Sequence, residues 1–308
     1  MRKKISVIGA GNVGSSTAQL IIQEGIADVI LFDVAEGMPQ GKALDLAEAC
    51  PLWNSSVSVK GTNSCDDTAN SDVLIVTAGF PRKPGMSRDD LLTANAEVIR
   101  TVAMESAKRS PAAVMIMVTN PMDVMAQLAW KVSGFDHRRV IGMGGVLDST
   151  RFRTFVSLEL GVSSNDIEAL VMGGHGDQMV PMPRFTTVKG VPITEILPAD
   201  TIASLIRRTR QGGAEIVSLL KTGSAYYAPA ASTYAMAKAI IFDEKRILPC
   251  AAYLDGQYDI RNLYVGVPAV LGKDGIDKVI ELKLTNEERD DFDKSVIAVA
   301  DLIAKLGI

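Results

Sequence analysis

The sequence predicts an α/β protein, with a doubly wound parallel sheet over residues 1–145 and a mixed α+β domain over residues 146–308. Three observations carry this prediction. Through the first half, short apolar runs alternate with longer helical patterns, as strands buried on both faces and joined by crossover helices do. A glycine-rich turn links the first of these runs to the first helix. After about residue 145 the alternation gives way to long helices, a proline-spaced stretch and two strand-like runs close together.

The strand candidates of the first half begin at Lys4 (KISVIG), Asp28 (DVILFD), Asp72 (DVLIVTA) and Ala112 (AAVMIMVTN), each almost continuously apolar. Between and after them, helical patterns cover 12–24, 40–50, 89–108 and 121–133, with Pro121 placed as a first-turn proline that leaves Asn120 at the carboxyl end of a strand. A further strand, RRVIGM, follows the turn that holds His137. In the second half a helix over 147–160 stops at Gly161, helices span 199–220 and 225–242, strand-like runs occupy 247–254 and 263–271, and a last helix starts at Asn286. There is no internal repeat and no low-complexity tract.

Composition narrows the function classes. The 308 residues are 47% hydrophobic, enough for a large core, and 32 basic against 36 acidic residues give a net charge of −4, so no global field favours nucleic acid or an anionic membrane as partner. The cysteines, Cys50, Cys65 and Cys250, are scattered and odd in number, as reduced thiols in the cytoplasm would be. The N-terminal stretch lacks a signal-peptide apolar region, and no uninterrupted apolar run reaches the length of a membrane span. With only two histidines and no metal-ligand spacing, no metal site is expected.

Gly9, Gly11 and Gly14 carry the G-x-G-x-x-G spacing between the first strand and first helix, the loop comprising Gly9, Ala10, Gly11, Asn12, Val13 and Gly14. Each glycine has a physical task in a Rossmann dinucleotide site: a tight turn, room for backbone to approach a pyrophosphate, and close packing of helix on strand. The motif alone is weak. It gains from Asp33, nineteen residues beyond Gly14 at the end of the second strand, where a carboxylate accepts hydrogen bonds from both ribose hydroxyls and repels a 2′-phosphate. NAD is therefore expected over NADP, and the missing Gly-Lys-Ser/Thr excludes a P-loop.

Three further segments read ambiguously one at a time. The loop GFPRKPGMSRDD, residues 79–90, places Arg82, Lys83 and Arg88 among prolines and a glycine, which suits either a solvated surface loop or an anion clamp. Asp148 and Arg151 share a helix face at i, i+3, the spacing of an ordinary surface ion pair. His175 is flanked by Gly173, Gly174 and Gly176, which leaves its ring uncrowded. Together they supply a base near neutral pH, a carboxylate to fix its tautomer and several arginines beside a nucleotide fold, the parts that hydride transfer from a hydroxy acid requires.

In order along the chain, GAGNVG, GFPRKPGMSRDDLL, VTNPMDV, LDSTRF, GGHGD and KTGSAYYAPAAS resemble the lactate/malate dehydrogenase family, and within it the lactate-dehydrogenase-like malate dehydrogenases. The resemblance implies that His175 is the general acid/base, held by Asp148; that Arg151 grips the carboxylate beside the reacting carbon; that Asn120 bonds the substrate oxygen; and that Arg88 polarises the carbonyl when its loop closes. It implies cofactor contacts at Asn95, Val118, Thr119 and Asn120 besides the glycine loop and Asp33. Arg82 matches the position that selects the substrate. A guanidinium there partners a second carboxylate, whereas pyruvate would leave the cation buried without a counterion, so malate and oxaloacetate are expected rather than lactate and pyruvate. Ala225 matches a position where lactate-specific members tend to carry threonine. The family also implies a homodimer or a tetramer of dimers, with the helix over 40–50 as one contact surface or, alternatively, packed on its own sheet. The competing readings are a lactate dehydrogenase, a non-catalytic NAD-binding sensor and, more remotely, an NAD-assisted glycosidase, which wants a metal.

Overall fold

The computed structural model describes residues 2–80 and 88–308, positions 88 and 89 by backbone alone. Arg82 and the Arg88 side chain therefore lie outside the described residues. Six parallel strands, β1 (Lys4–Ile8), β2 (Asp28–Phe32), β3 (Val59–Thr62), β4 (Val73–Val76), β5 (Val114–Met117) and β6 (Val140–Gly142), lie in the order 3-2-1-4-5-6. The order reverses between β1 and β4, in register at Val7↔Ile75, and in such sheets a crevice opens beyond the carboxyl ends of the strands at that reversal. Every residue of β4 and β5 is buried, which is why both strands read as unbroken apolar runs. β3, with sequence VKGT, was not expected. It is an edge strand with only its last residue buried, so it carries neither a continuous nor an alternating apolar signal.

Helices α1 (Asn12–Gln23), α2 (Met38–Ala49), α3 (Arg88–Arg109) and α4 (Met122–Ser133) connect these strands, each within two residues of expectation. Pro121 is the residue before α4 rather than its first member. Beyond β6, α5 (Gly145–Leu160) starts two residues earlier than its apolar spacing indicates and stops at Gly161, whose φ of 65° suits a residue without a side chain. The short strands β7 (Ile167–Glu168), β8 (Val171–Met172), β9 (Val180–Pro181), β10 (Thr187–Val188) and β11 (Val191–Pro192) form small separate sheets. They lead to α6 (Ala199–Leu220), α7 (Tyr227–Ile241), β12 (Arg246–Asp255), β13 (Arg261–Gly272), β14 (Gly275–Val279) and α8 (Asn286–Lys305).

β12 pairs antiparallel with β6 at Ala251↔Gly142, so β12, β13 and β14 extend the parallel sheet to nine strands across the expected division at 145. One large core accordingly runs from Val7 and Ile75 to Tyr264 and Val267. A smaller core, built on Phe152, Val156, Ile167 and Val171, secures the segment between α5 and α6. Among the described residues, no helix is long and apolar enough to cross a membrane.

Candidate active site

The glycine loop follows β1 at the crevice. Gly9 has φ of +109°, a conformation that rejects side chains, and a Cβ on Gly14 would lie 1.9 Å from the Gly9 carbonyl oxygen. These two glycines let α1 pack on β1. Gly11 is different: a Cβ there would meet nothing within 4 Å, so its bareness leaves the backbone open to approach from outside. It precedes α1 without any side-chain cap, and the first turn, with Asn12 exposed, contains no acid. Unsatisfied amides at a helix start favour an anion.

The rear of the loop is pinned. Asp33 accepts the Ala10 N–H at 2.7 Å and the Ala35 N–H at 2.9 Å, one on each carboxylate oxygen, which leaves each oxygen a lone pair for a hydroxyl. Lys42 of α2 donates to the Ala10 carbonyl at 2.7 Å and Thr77 donates to the Gly9 carbonyl at 3.0 Å. A loop held behind and bare in front, with an acceptor at its edge, fits the pyrophosphate and ribose of a dinucleotide. Lys42 was not singled out from the sequence, where it reads as one more solvated helix cation.

His175 stands on the loop between β8 and β9. Its Nδ1 lies 2.7 Å from one oxygen of Asp148, and the other oxygen of Asp148 accepts a hydrogen bond from Arg151 Nη1 at 3.2 Å. The i, i+3 spacing on α5 thus makes a buried arrangement rather than a surface pair: the Asp148, His175 and Arg151 side chains are 2%, 13% and 14% exposed. Burial disfavours the charged imidazole, but the Asp148 carboxylate and its hydrogen bond outweigh burial and hold His175 above its ordinary 6.5, with Asp123 adding to the lift and Arg151 opposing it. With Nδ1–H donated to Asp148, Nε2 is the nitrogen left to exchange a proton.

A cavity of about 550 Å³ is lined by His175, Arg151 and Asn120 together with Val13 and Val118 from the nucleotide side, and by Ala225. Arg151 Nε is buried without an acceptor among the described residues, a donor that a bound carboxylate would satisfy. Its guanidinium has room because α6 passes it at Gly212 and Gly213; a Cβ on Gly212 would already sit 3.3 Å from Arg151 Cδ.

Asn95 and Thr119 are buried close by, yet their side chains engage the chain itself. Asn95 accepts the Phe80 N–H at 2.7 Å and donates to the Asn120 carbonyl at 2.8 Å, while Thr119 donates to the Ala78 carbonyl at 2.7 Å. Asp123 was overlooked, although it lies within VTNPMDV: its carboxylate accepts the His175 backbone N–H at 2.7 Å. Its only sequence signal is an acid in the first turn of α4, which also reads as a simple helix-dipole partner. Among the described residues, no group of three or more His, Cys, Asp or Glu side chains is arranged to hold a metal.

A glycine-gated nucleotide crevice and a buried His–Asp–Arg cluster opening on one cavity define an NAD-linked oxidoreductase. The sequence matches the family model for the lactate/malate dehydrogenase NAD binding domain over residues 3–142 and the model for the lactate/malate dehydrogenase alpha/beta C-terminal domain over 145–306. The chain belongs to the lactate/malate dehydrogenase family. It is 55% identical to a malate dehydrogenase of Desulforudis audaxviator over 307 residues, covering 100% of this chain and 99% of that one. The crystal structure of Cryptosporidium parvum malate dehydrogenase superposes with a TM-score of 0.97 at 47% identity, covering 100% of this chain and 99% of the other. A lactate dehydrogenase of Cryptosporidium parvum, solved with lactic acid and nicotinamide adenine dinucleotide, also superposes at 0.97, with 41% identity and coverage of 100% and 98%. Backbone shape therefore does not separate the two activities.

Proposed function

We propose that the protein is an NAD-dependent malate dehydrogenase, which interconverts (S)-malate and oxaloacetate, with the His175–Asp148–Arg151 cluster as its chemical centre. The 2.7 Å contact between His175 and the buried Asp148 carries this reading, because it leaves a basic Nε2 at a cavity that also holds a carboxylate clamp. Bound NAD supplies the hydride acceptor. His175 takes the malate hydroxyl proton on Nε2 and, in the reverse direction, returns it to the oxygen of oxaloacetate. Asp148 stabilises the imidazolium that forms. Arg151 holds the carboxylate next to the reacting carbon through a two-pronged bond that fixes its orientation, which a lysine could not do. Asn120 donates to the substrate oxygen, and Arg88 adds positive charge there when residues 79–90 exclude water.

NAD would be held by the glycine loop, by Val13 and Val118, which line the cavity beside His175, and by Asp33, whose carboxylate would accept hydrogen bonds from a ribose. Asn95 and Thr119 shape this region through the backbone bonds they make. Arg82 selects a dicarboxylate. Arg82→Gln is expected to lower the ratio of oxaloacetate to pyruvate turnover by about 30-fold or more, the effect of removing one partner of a desolvated ion pair. Steady-state kcat/KM on both acids with NADH measures this, and an unchanged ratio would remove Arg82 from the selectivity role.

The direction of the His175 shift fixes the sign of the pH dependence. Oxaloacetate reduction needs the protonated ring, so its kcat/KM stays high at low pH and falls as pH rises through a pKa above 6.5; malate oxidation needs the neutral ring and rises through the same pKa. Profiles in both directions that share a limb of the same sign would contradict the assignment. The reading also extends to a reducing, cytoplasmic setting and to a homo-oligomer. On α2, Leu44 is 62% exposed although its neighbour Ala43 is buried, which supports that helix as a surface for a second copy.

A further inference from the structure

We infer that Asp123 is a positioning residue for the proton-transfer step: from the first turn of α4 its carboxylate fixes the backbone of His175 and sets the charge that the imidazole experiences. This inference rests on the acid/base role proposed for His175.

Two carboxylates from two helices hold the one histidine. Asp148 of α5 bonds the ring, whereas Asp123 accepts the backbone N–H at 2.7 Å. The same loop is fixed on its other side, where Gly174 donates to Ser295 of α8 at 2.9 Å and Gly173 donates to the Gly266 carbonyl at 2.8 Å. There is no slack in this packing, since a Cβ on Gly174 would lie 2.4 Å from Val299. Asp123 is three residues from Asn120, so one short segment fixes the residue at the substrate oxygen and the backbone of the proton acceptor.

A neutral asparagine could accept the His175 N–H equally well, so a purely structural task does not call for an acid. The other Asp123 oxygen is buried and has no partner among the described residues, and a half-satisfied buried carboxylate is costly. The charge is the feature that this cost supports. Asp123 acts with the charges around His175: Asp148 and Asp123 favour the imidazolium and Arg151 disfavours it, while α8 faces the loop with the uncharged Ser295 and Val299. Burial pushes the Asp123 carboxyl itself up to about 6, the His175 N–H and imidazole and the backbone N–H of Asp123 itself pulling the other way and Asp148 adding to the rise. In mild acid, protonation of Asp123 withdraws one of the two negative charges that favour the imidazolium.

The test compares Asp123→Asn and Asp123→Ala in the full-length protein, with oxaloacetate and NADH. Asp123→Asn keeps an acceptor for the His175 N–H, so KM for oxaloacetate stays near wild type while the alkaline inflection of kcat/KM moves down by about half a unit or more. Asp123→Ala frees the loop and lowers kcat by about ten- to a hundredfold, with the Kd for NADH unchanged. A profile of Asp123→Asn that superposes on wild type, or a wild-type kcat in Asp123→Ala, overturns the inference. Should the variants not fold, the wild-type protein still decides. His137 and His175 are its only histidines, and histidine-labelled protein gives two imidazole signals that His137→Gln assigns. The His175 ring is expected to show a minor inflection near 6 besides its own, and a single inflection overturns the inference. Inactivity of wild type on oxaloacetate would sink the functional reading instead, and the imidazole titration would still judge Asp123.

Discussion

His175→Asn is expected to lower kcat for oxaloacetate reduction by about 10²–10⁴-fold, the range that a positioned proton donor contributes. The ring has one nitrogen committed to Asp148 at 2.7 Å and the other left at the cavity. Asparagine can occupy part of the space but cannot carry a proton to the substrate oxygen. Since the glycine loop and Asp33 make no hydrogen bond to His175, NADH binding should be unaffected. The check is stopped-flow absorbance of NADH oxidation together with NADH titration by fluorescence. A variant that retained wild-type kcat would mean that the proton comes from solvent or from another group.

Asp148 should show the second large effect, on two readouts at once. Its carboxylate is 2% exposed and bonds both His175 and Arg151. Asp148→Ala leaves two nearly buried cationic groups without their shared counterion, and breaking such a pair costs about 3–5 kcal/mol of stability. Asp148→Asn separates this from catalysis. The amide can point its NH₂ at Nδ1, which drives the proton to Nε2 and leaves the neutral ring unable to accept one from malate, so kcat for malate oxidation should fall by about 10²-fold or more. Urea unfolding measures the first effect and pH-dependent turnover the second. If Asp148→Asn had a wild-type profile with the His175 inflection unmoved, Asp148 would not set the state of the ring.

Most of the fold was legible because its inner strands β1, β4 and β5 are buried almost throughout and β2 is apolar although only alternate residues are fully buried. β1, β2, β4 and β5 announce themselves as apolar runs, and the glycines and Asp33 mark the turn and the second strand end that frame the proposed nucleotide site. β3 was not legible, as an edge strand of four residues with one buried position leaves no pattern. Nor was the continuity of the sheet through Ala251↔Gly142, a pairing between segments more than a hundred residues apart with no local signature.

The site divides in the same way. Gly9 and Gly14 were readable because their constraint is local backbone geometry. His175 and Asp148 became readable through residue types and through resemblance. Asp123 and Lys42 were not, because each acts on a backbone group, the His175 N–H and the Ala10 carbonyl, and such a partner has no side-chain identity to betray it. Asn95 shows the converse. Resemblance implies a cofactor contact for it, and what the structure adds is that its amide joins the backbones of Phe80 and Asn120, an engagement that sequence order cannot reveal.

The most direct test is to mix the wild-type protein with NADH and follow turnover on oxaloacetate and on pyruvate under the same conditions. Much faster turnover of oxaloacetate is predicted, because under the role proposed for Arg82 the second carboxylate has a cationic partner that the methyl group of pyruvate does not need. Preference for pyruvate would contradict the role of Arg82, and no NADH oxidation with either acid would contradict the enzyme assignment itself.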